Sequence, residues 1–189
     1  LALMTDAAIG SPPAHPDQAG APWRVAAEQW IVDHGPILLA HPWLAFTSAA
    51  LTTLGPNHLA WAEAIVAALS GTELTPAEKL QVGALLGTHL LNMVRVADGI
   101  AAFGHAMTDE PAADRTAGTD YLTLMAALVD PATHPALHAA VRSQPQHAGS
   151  AGVAPVQLVF DQWPLDFGAR MILDGIGALV ADRTGTPPA

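Results

Sequence analysis

Apolar residues recur along this chain at helical spacing and seldom alternate as they would in a β-strand. Trp30, His34 and Leu38 share one face of a segment that begins near residue 23. A longer segment, 76–103, carries apolar residues on two faces and only a narrow polar strip. The pattern therefore predicts an all-α protein of about six to seven helices.

Helix-breaking and capping residues set the predicted boundaries. Gly35-Pro36 interrupts the helix from residue 23, because Pro36 removes a backbone donor and crowds the preceding turn, so we predict a kink or two helices there. The run TPAE from Thr75 to Glu78 predicts a capping box at the start of 76–103. The other predicted helices are 1–9, 42–53, 57–69, 119–129, 135–142 and 155–183, the last bent at Pro164, with loops at 10–22, 104–118 and 143–155.

The helices 76–103 and 155–183 are apolar on more faces than one small bundle covers. Either a large core within the chain buries these faces, or two copies dimerise through a four-helix bundle closed by twofold symmetry. We favour the dimer, because glycines in 155–183 let a partner helix approach closely. The predicted interface residues are Leu90, Val94, Gly168, Ile172, Ile176 and Leu179.

Composition narrows the class of protein. With 189 residues, 51% hydrophobic and 13% charged, the chain can bury a substantial core and does not resemble a disordered protein. It shows no signal peptide, and no apolar run reaches the length of a membrane span. Because it contains no cysteine, it has no disulfides or thiolate metal sites, which fits a cytoplasmic protein.

The net charge of −10 argues against direct binding of nucleic acid. The seven Lys and Arg residues are scattered and never adjacent. Since phosphate recognition needs clustered cations, we expect this chain not to bind DNA by itself.

Signals of catalysis or metal binding are weak. His134 and His138 have the spacing that places two imidazoles on one helical face, but the sequence indicates no third ligand. No serine has the context of a nucleophile elbow, and no glycine-rich phosphate loop follows a strand. We therefore predict no metal, no cofactor and no enzymatic activity.

Three stretches carry a resemblance to a known family. Residues 23–45 read WRVAAEQWIVDHGPILLAHPWLA, residues 54–94 read LGPNHLAWAEAIVAALSGTELTPAEKLQVGALLGTHLLNMV, and residues 165–183 read LDFGARMILDGIGALVADR. In their order and spacing they are similar to the C-terminal ligand-binding and dimerisation domain of TetR-family transcriptional regulators, in the tetracycline-repressor-like branch.

The resemblance implies a dimeric repressor whose N-terminal helix-turn-helix domain is missing from this sequence. Residues 1–9 resemble the helix that links that domain to the core, which leaves 10–189 as one effector-binding and dimerisation domain. A small, largely apolar or aromatic molecule, such as an antibiotic, would bind the core and release DNA. The alternatives are a helical dimerisation or interaction module without a ligand and, less favoured, a small helical enzyme.

The family geometry places a cavity among the helices of 23–69 and one face of 76–103. His89 is the strongest candidate for ligand contact, as an imidazole in mid-helix on an apolar stripe. We predict that Asn57 is an N-cap and that Trp43 anchors a turn. The break at Gly35-Pro36 would widen the cavity, and the motif that holds a magnesium–tetracycline chelate has no counterpart here. The predicted ligand-binding residues are Trp30, His34, Leu38, Phe46, His58, Trp61, His89, Asn92 and Met93.

Overall fold

The computed structural model describes residues 1–15, 20–47, 54–107, 125, 127–142 and 164–185. Within these ranges every regular element is helical, which confirms the all-α prediction. The chain divides into two compact units, Leu1–Arg95 with Gln162–Ala189, and Val96–Asp161. The helices are α1 (Ala2–Ile9), α2 (Trp23–Ala40), a 3-10 helix (Pro42–Phe46), α3 (Pro56–Ala68), α4 (Pro76–Met107), α5 (Pro135–Arg142) and α6 (Phe167–Thr184).

Helix α2 continues without a break through Gly35 and Pro36, so the prediction of two helices is wrong. Pro36 cannot donate to the carbonyl of Val32. Both Val32 and Pro36 lie on the exposed side of α2, where water can bind the freed carbonyl. The proline is therefore tolerated inside the helix.

The predicted capping box at the start of α4 is confirmed. The backbone N–H of Glu78 donates to Thr75 Oγ1 at 3.3 Å, and the backbone N–H of Thr75 donates to Glu78 Oε2 at 2.7 Å. The end of this helix differs from the prediction, since α4 continues to Met107 and residues 104–107 are helical, not loop.

The other boundaries are confirmed in part. Of the predicted helix 42–53, residues 42–46 form a 3-10 helix and 48–53 lie outside the described residues. Pro164 precedes the last helix and does not bend it, because α6 begins at Phe167 with Asp166 as its N-cap. Residues 125 and 127–128 are helical, whereas 108–124, 143–155 and 156–163 lie outside the described residues.

The core of the first unit consists of apolar side chains from α2, α3, α4 and α6, each of which contributes roughly 1.5–3 kcal/mol when fully buried. Three predicted interface residues, Leu90, Val94 and Ile176, are buried in this core of the single chain. Ile172 is partly buried against the same core, and Gly168 faces the ring of His89. Leu179 is exposed, so its place in an interface stays a prediction.

The outer face of α6 carries a row of apolar residues. Phe167 is 76% exposed, Met171 is 49% exposed and Leu179 is 40% exposed. Successive steps of four residues join them through Gly175, so they form one stripe along the helix. Among the described residues, this stripe is the exposed apolar face of α6.

In the second unit, α5 has no buried residue over Pro135–Arg142. Within the described part of the chain, His134 and His138 belong to no group of three or more residues able to hold a metal ion. None of the described helices combines the length and the apolar character that crossing a membrane requires.

Candidate ligand-binding cavity

A cavity of about 270 Å³ lies among α1, α2, the 3-10 helix, α3 and α4. Its size approaches the lower end of small-molecule sites, which is roughly 300 Å³. The wall is mostly apolar, with two indoles and two imidazoles as its polar elements. The lining residues are Ile9, Trp30, His34, Leu38, Leu44, His58, Trp61, Ala62, Ile65, Leu80, Gly83, Ala84, Gly87 and Leu91.

An aromatic cluster forms one side of the cavity. Trp30 and His34 are four residues apart on α2 and therefore share a face. The His34 ring lies between two indoles, with its centroid 4.4 Å from that of Trp30 and 4.1 Å from that of Trp61. The two indoles meet edge to face at 5.8 Å.

Both indole N–H groups of this cluster already have acceptors. Trp30 Nε1 donates to the carbonyl of Trp61 at 3.0 Å, and Trp61 Nε1 donates to the carbonyl of Gly10 at 2.9 Å. These bonds fix the orientation of the rings before any ligand arrives. The second bond also joins α3 to the end of α1.

His34 is a neutral imidazole in the cavity wall. Burial lowers its pKa to about 3, and repulsion from His58 acts in the same direction. Its Nδ1 is buried without a hydrogen-bond partner among the described residues. An unpaired buried polar atom costs about 1–3 kcal/mol, so this nitrogen lowers the stability of the native chain unless a group outside the described residues bonds to it.

Asp6 joins α1 to the first turn of α3. The residue before that helix is Gly55, which offers no side-chain acceptor. The Asp6 carboxylate takes over this role: it accepts the backbone N–H of Asn57 at 3.4 Å and that of His58 at 3.0 Å. Its Oδ1 also lies 2.9 Å from His58 Nδ1.

The hydrogen bonds of Asp6 keep it ionised. Burial would raise its pKa, but the His58 side chain and the backbone N–H groups of His58 and Asn57 outweigh burial and hold the pKa below its ordinary value. Asp6 therefore bears a negative charge at the positive end of α3, where a helix favours anions.

Asn57 is not the N-cap of α3, because the helix begins at Pro56. Its Nδ2 donates to the carbonyl of Asp6 at 2.8 Å, and its Oδ1 accepts from Ser11 Oγ at 2.9 Å. The side chain thus strengthens the attachment of α3 to α1.

The structure brings five of the predicted ligand-binding residues together at the cavity: Trp30, His34, Leu38, His58 and Trp61. The other four lie elsewhere. Phe46 is 58% exposed on the 3-10 helix, Asn92 is exposed, Met93 is partly buried outside the cavity lining, and His89 pairs with Asp166.

His89 takes part in a packing contact between α4 and α6. Its Nε2 lies 3.0 Å from Asp166 Oδ1, and the same oxygen accepts the backbone N–H of Ala169 at 2.7 Å. The ring rests against Gly168. His89 therefore connects α4 to the N-cap of α6 and does not line the cavity.

The face that α4 turns to the cavity is Leu80, Gly83, Ala84, Gly87 and Leu91. Gly83 and Gly87 are four residues apart and share one of the two faces of 76–103 that lack charged residues, so the sequence did carry a signal for this face. The other face of α4 carries His89, whose imidazole made that face the more attractive candidate in the sequence. In the structure, His89 packs against α6 and not against the cavity.

A wider depression of about 770 Å³ lies on the other side of Trp30 and Trp61, which line both spaces. It is bordered by the prolines at positions 12, 13 and 22 and by the pair His15–Asp33, whose atoms lie 2.7 Å apart. The smaller cavity is the candidate site, because it contains His34, whose buried Nδ1 has no hydrogen-bond partner among the described residues.

The fold and the cavity define an all-α protein with an apolar site hydrogen-bonded to its first helix. The chain is 31% identical over 94 residues to an HTH-type transcriptional regulator of Saccharopolyspora erythraea. The match covers 50% of this chain and 39% of that regulator. No family model and no solved structure matches the chain.

Proposed function

We propose that this chain is the effector-binding and dimerisation part of a TetR-like transcriptional repressor. A small, largely apolar aromatic molecule binds the cavity, and the repressor then releases DNA through a helix-turn-helix domain outside this sequence. The observation that carries the proposal is the direct hydrogen bonding between the cavity wall and α1.

Two residues that line the cavity also bond to α1 or its end. His58 reaches Asp6 through its ring and its backbone, and Trp61 reaches Gly10. A ligand that displaces either ring changes the position of α1, the helix that resembles the link to a DNA-binding domain. For a tenfold effect on DNA affinity, the ligand must favour the released state by about 1.4 kcal/mol.

Thermal unfolding with a panel of neutral aromatic compounds tests ligand binding. A compound at a hundred times its Kd stabilises the native chain by about 2.7 kcal/mol and raises the melting temperature. Hydrogen exchange of the α1 amides, measured with and without that compound, then tests the coupling. If no compound in a broad panel raises the melting temperature, the effector-binding function is wrong.

The gene tests the repressor part of the proposal. We expect codons upstream of Leu1 to encode a basic helix-turn-helix domain. The longer chain should bind DNA as a dimer and lose DNA affinity when the compound is added. A gene without such a domain would contradict the repressor assignment and leave the cavity unaffected.

A second candidate is a helical module that dimerises without a ligand, which the exposed apolar stripe of Phe167, Met171 and Leu179 favours. Two measurements distinguish this module from the effector-binding domain. Sedimentation equilibrium of the wild type and of Met171→Glu tests dimerisation through the stripe, and the panel of compounds tests ligand binding. A dimer that Met171→Glu dissociates, in a chain that binds no compound, supports the module alone.

A further inference from the structure

The volume of the cavity indicates the size of the ring system that it can hold. An apolar cavity of roughly 150 Å³ holds one benzene ring. The present cavity measures about 270 Å³, which is enough for two fused aromatic rings and a small substituent. The two indoles and the His34 ring offer flat apolar surfaces for such a ring system.

The charges of the lining limit the ligand to a neutral molecule. None of the lining residues within the described ranges is Lys, Arg, Asp or Glu. His34 is neutral because of its burial. An ionised group on the ligand would lose its hydration without gaining a fixed counter-charge, which is costly.

The hydrogen bonds around His58 define which ligand group fits. A carboxylate can only accept, so the contact between Asp6 Oδ1 and His58 Nδ1 places a proton on Nδ1. In the neutral ring, Nε2 is then an acceptor. No described residue bonds to Nε2, while both indole N–H groups are occupied by carbonyls. This wall therefore offers an acceptor at His58.

We propose that the ligand is a neutral, hydroxylated aromatic of about two fused rings, whose hydroxyl group donates to Nε2 of His58. Its rings lie against His34 and Trp61. Asp6 is a positioning residue, because it fixes the proton of His58 from the opposite edge of the ring. The inference rests on the proposed function, since it names the chemical class of the effector.

Calorimetry of the 189-residue chain with four related probes tests the inference. The probes are 2-naphthol, which has a donor; 2-methoxynaphthalene, which has only an acceptor; naphthalene, which has neither; and 2-naphthoate, which is an anion. We expect 2-naphthol to bind about five- to tenfold more tightly than the methyl ether and naphthalene, the size of one hydrogen bond. The anion should bind most weakly.

The variant His58→Phe keeps a ring and removes the acceptor. It should reduce the preference for 2-naphthol over the ether to about onefold while naphthalene still binds. His134→Phe, the same change at an exposed histidine of the second unit, is the control and should keep the wild-type preference. If His58→Phe does not fold, Ala62→Leu, which fills the cavity from α3, should weaken binding of all uncharged probes.

Each contrary result has a separate meaning. Equal binding of 2-naphthol and its ether would overturn the hydroxyl assignment and leave an aromatic-binding cavity. Tighter binding of 2-naphthoate would also overturn it, because the wall would then carry a positive charge. Failure of all four probes to bind would overturn the inference alone, because the broad panel of compounds in the thermal-unfolding experiment tests the proposed function separately.

Discussion

Two of the histidine–aspartate pairs in the first unit have nearly equal geometry and different surroundings. Asp6 Oδ1 lies 2.9 Å from His58 Nδ1, and Asp166 Oδ1 lies 3.0 Å from His89 Nε2. In both pairs the carboxylate also caps a helix. Asp166 caps its own helix, α6, whereas Asp6 belongs to α1 and caps α3. The pair with Asp6 thus joins two helices at the cavity, and the other stabilises packing.

A glycine packs against each pair. A Cβ added at Gly55 would overlap the carboxyl group of Asp6, lying 2.7 Å from its Cβ. A Cβ added at Gly168 would lie 3.0 Å from His89 Nε2 and still closer to Cε1. Neither glycine has a positive φ, so alanine can adopt the backbone conformation at both sites. An effect of the substitution therefore reports the contact of the new methyl group with the pair. The role of a histidine–aspartate pair therefore depends on the helices around it and not on the pair itself.

The largest effect is expected for Gly55→Ala. The methyl group must displace Asp6, whose short side chain has little freedom, and α3 then loses its cap. We predict a loss of about 3 kcal/mol in the free energy of unfolding, at the upper end for overpacking. The preference of the cavity for hydroxylated over methoxylated aromatics should also fall. Urea unfolding and calorimetry measure the two effects.

Gly71→Ala provides the control for Gly55→Ala, since a Cβ there meets open space. It should change neither stability nor binding by a measurable amount. Wild-type stability in Gly55→Ala would show that the attachment of α1 to α3 is unimportant, and the two pairs would then be equivalent.

The next largest effect is a pH-dependent loss of stability caused by His34, which is buried and has no carboxylate partner among the described residues. Its folded pKa of about 3 lies below the ordinary value of 6.5, so the unfolded chain binds a proton in this range that the native chain does not. Stability therefore falls as the pH decreases from 6.5 towards 3. Between pH 6.5 and pH 4.5 this loss amounts to about 2.5 kcal/mol.

His34→Phe removes the titrating group and should lack that pH dependence in urea unfolding curves. Asp6 acts in a different window. Its folded pKa is lowered, so its contribution is present above the unfolded value of 3.8 and is lost only as the pH falls below it. Parallel pH profiles of wild type and His34→Phe above pH 4.5 would show that His34 is not buried as a neutral base.

Gly168→Ala should cost less than Gly55→Ala, about 1–2 kcal/mol. The new methyl group displaces the ring of His89, which can turn away on its longer side chain and release Asp166. Because neither residue lines the cavity, the affinity for 2-naphthol should stay within about twofold of wild type. A large loss of affinity would mean that the two pairs are coupled, contrary to the assigned roles.

The features predictable from the sequence are those that depend on neighbours along the chain. Helical periodicity identified α2, α3 and α4, and the capping residues Thr75 and Glu78 identified the start of α4, because each signal lies within one or two turns. The pairing of Asp6 with His58 joins residues 52 positions apart, and that of His89 with Asp166 joins residues 77 apart. A single sequence does not show which distant residues are in contact. The prediction that His89 contacts a ligand therefore could not take into account its pairing with Asp166 at the start of α6.

The smallest effect is expected for Thr75→Ala, which tests a cap formed within one helix. The hydroxyl of Thr75 accepts the backbone N–H of Glu78, and its loss typically costs about 1 kcal/mol. The site is exposed and remote from the cavity lining, so water partly replaces the lost bond and the affinity for 2-naphthol should not change. Urea unfolding and calorimetry check both statements, with the conservative Thr75→Ser as the variant that keeps the cap. If Thr75→Ala weakened the binding of 2-naphthol as strongly as Gly55→Ala, loss of any helix cap would reduce affinity. The contact between α1 and α3 would then have no special role in binding.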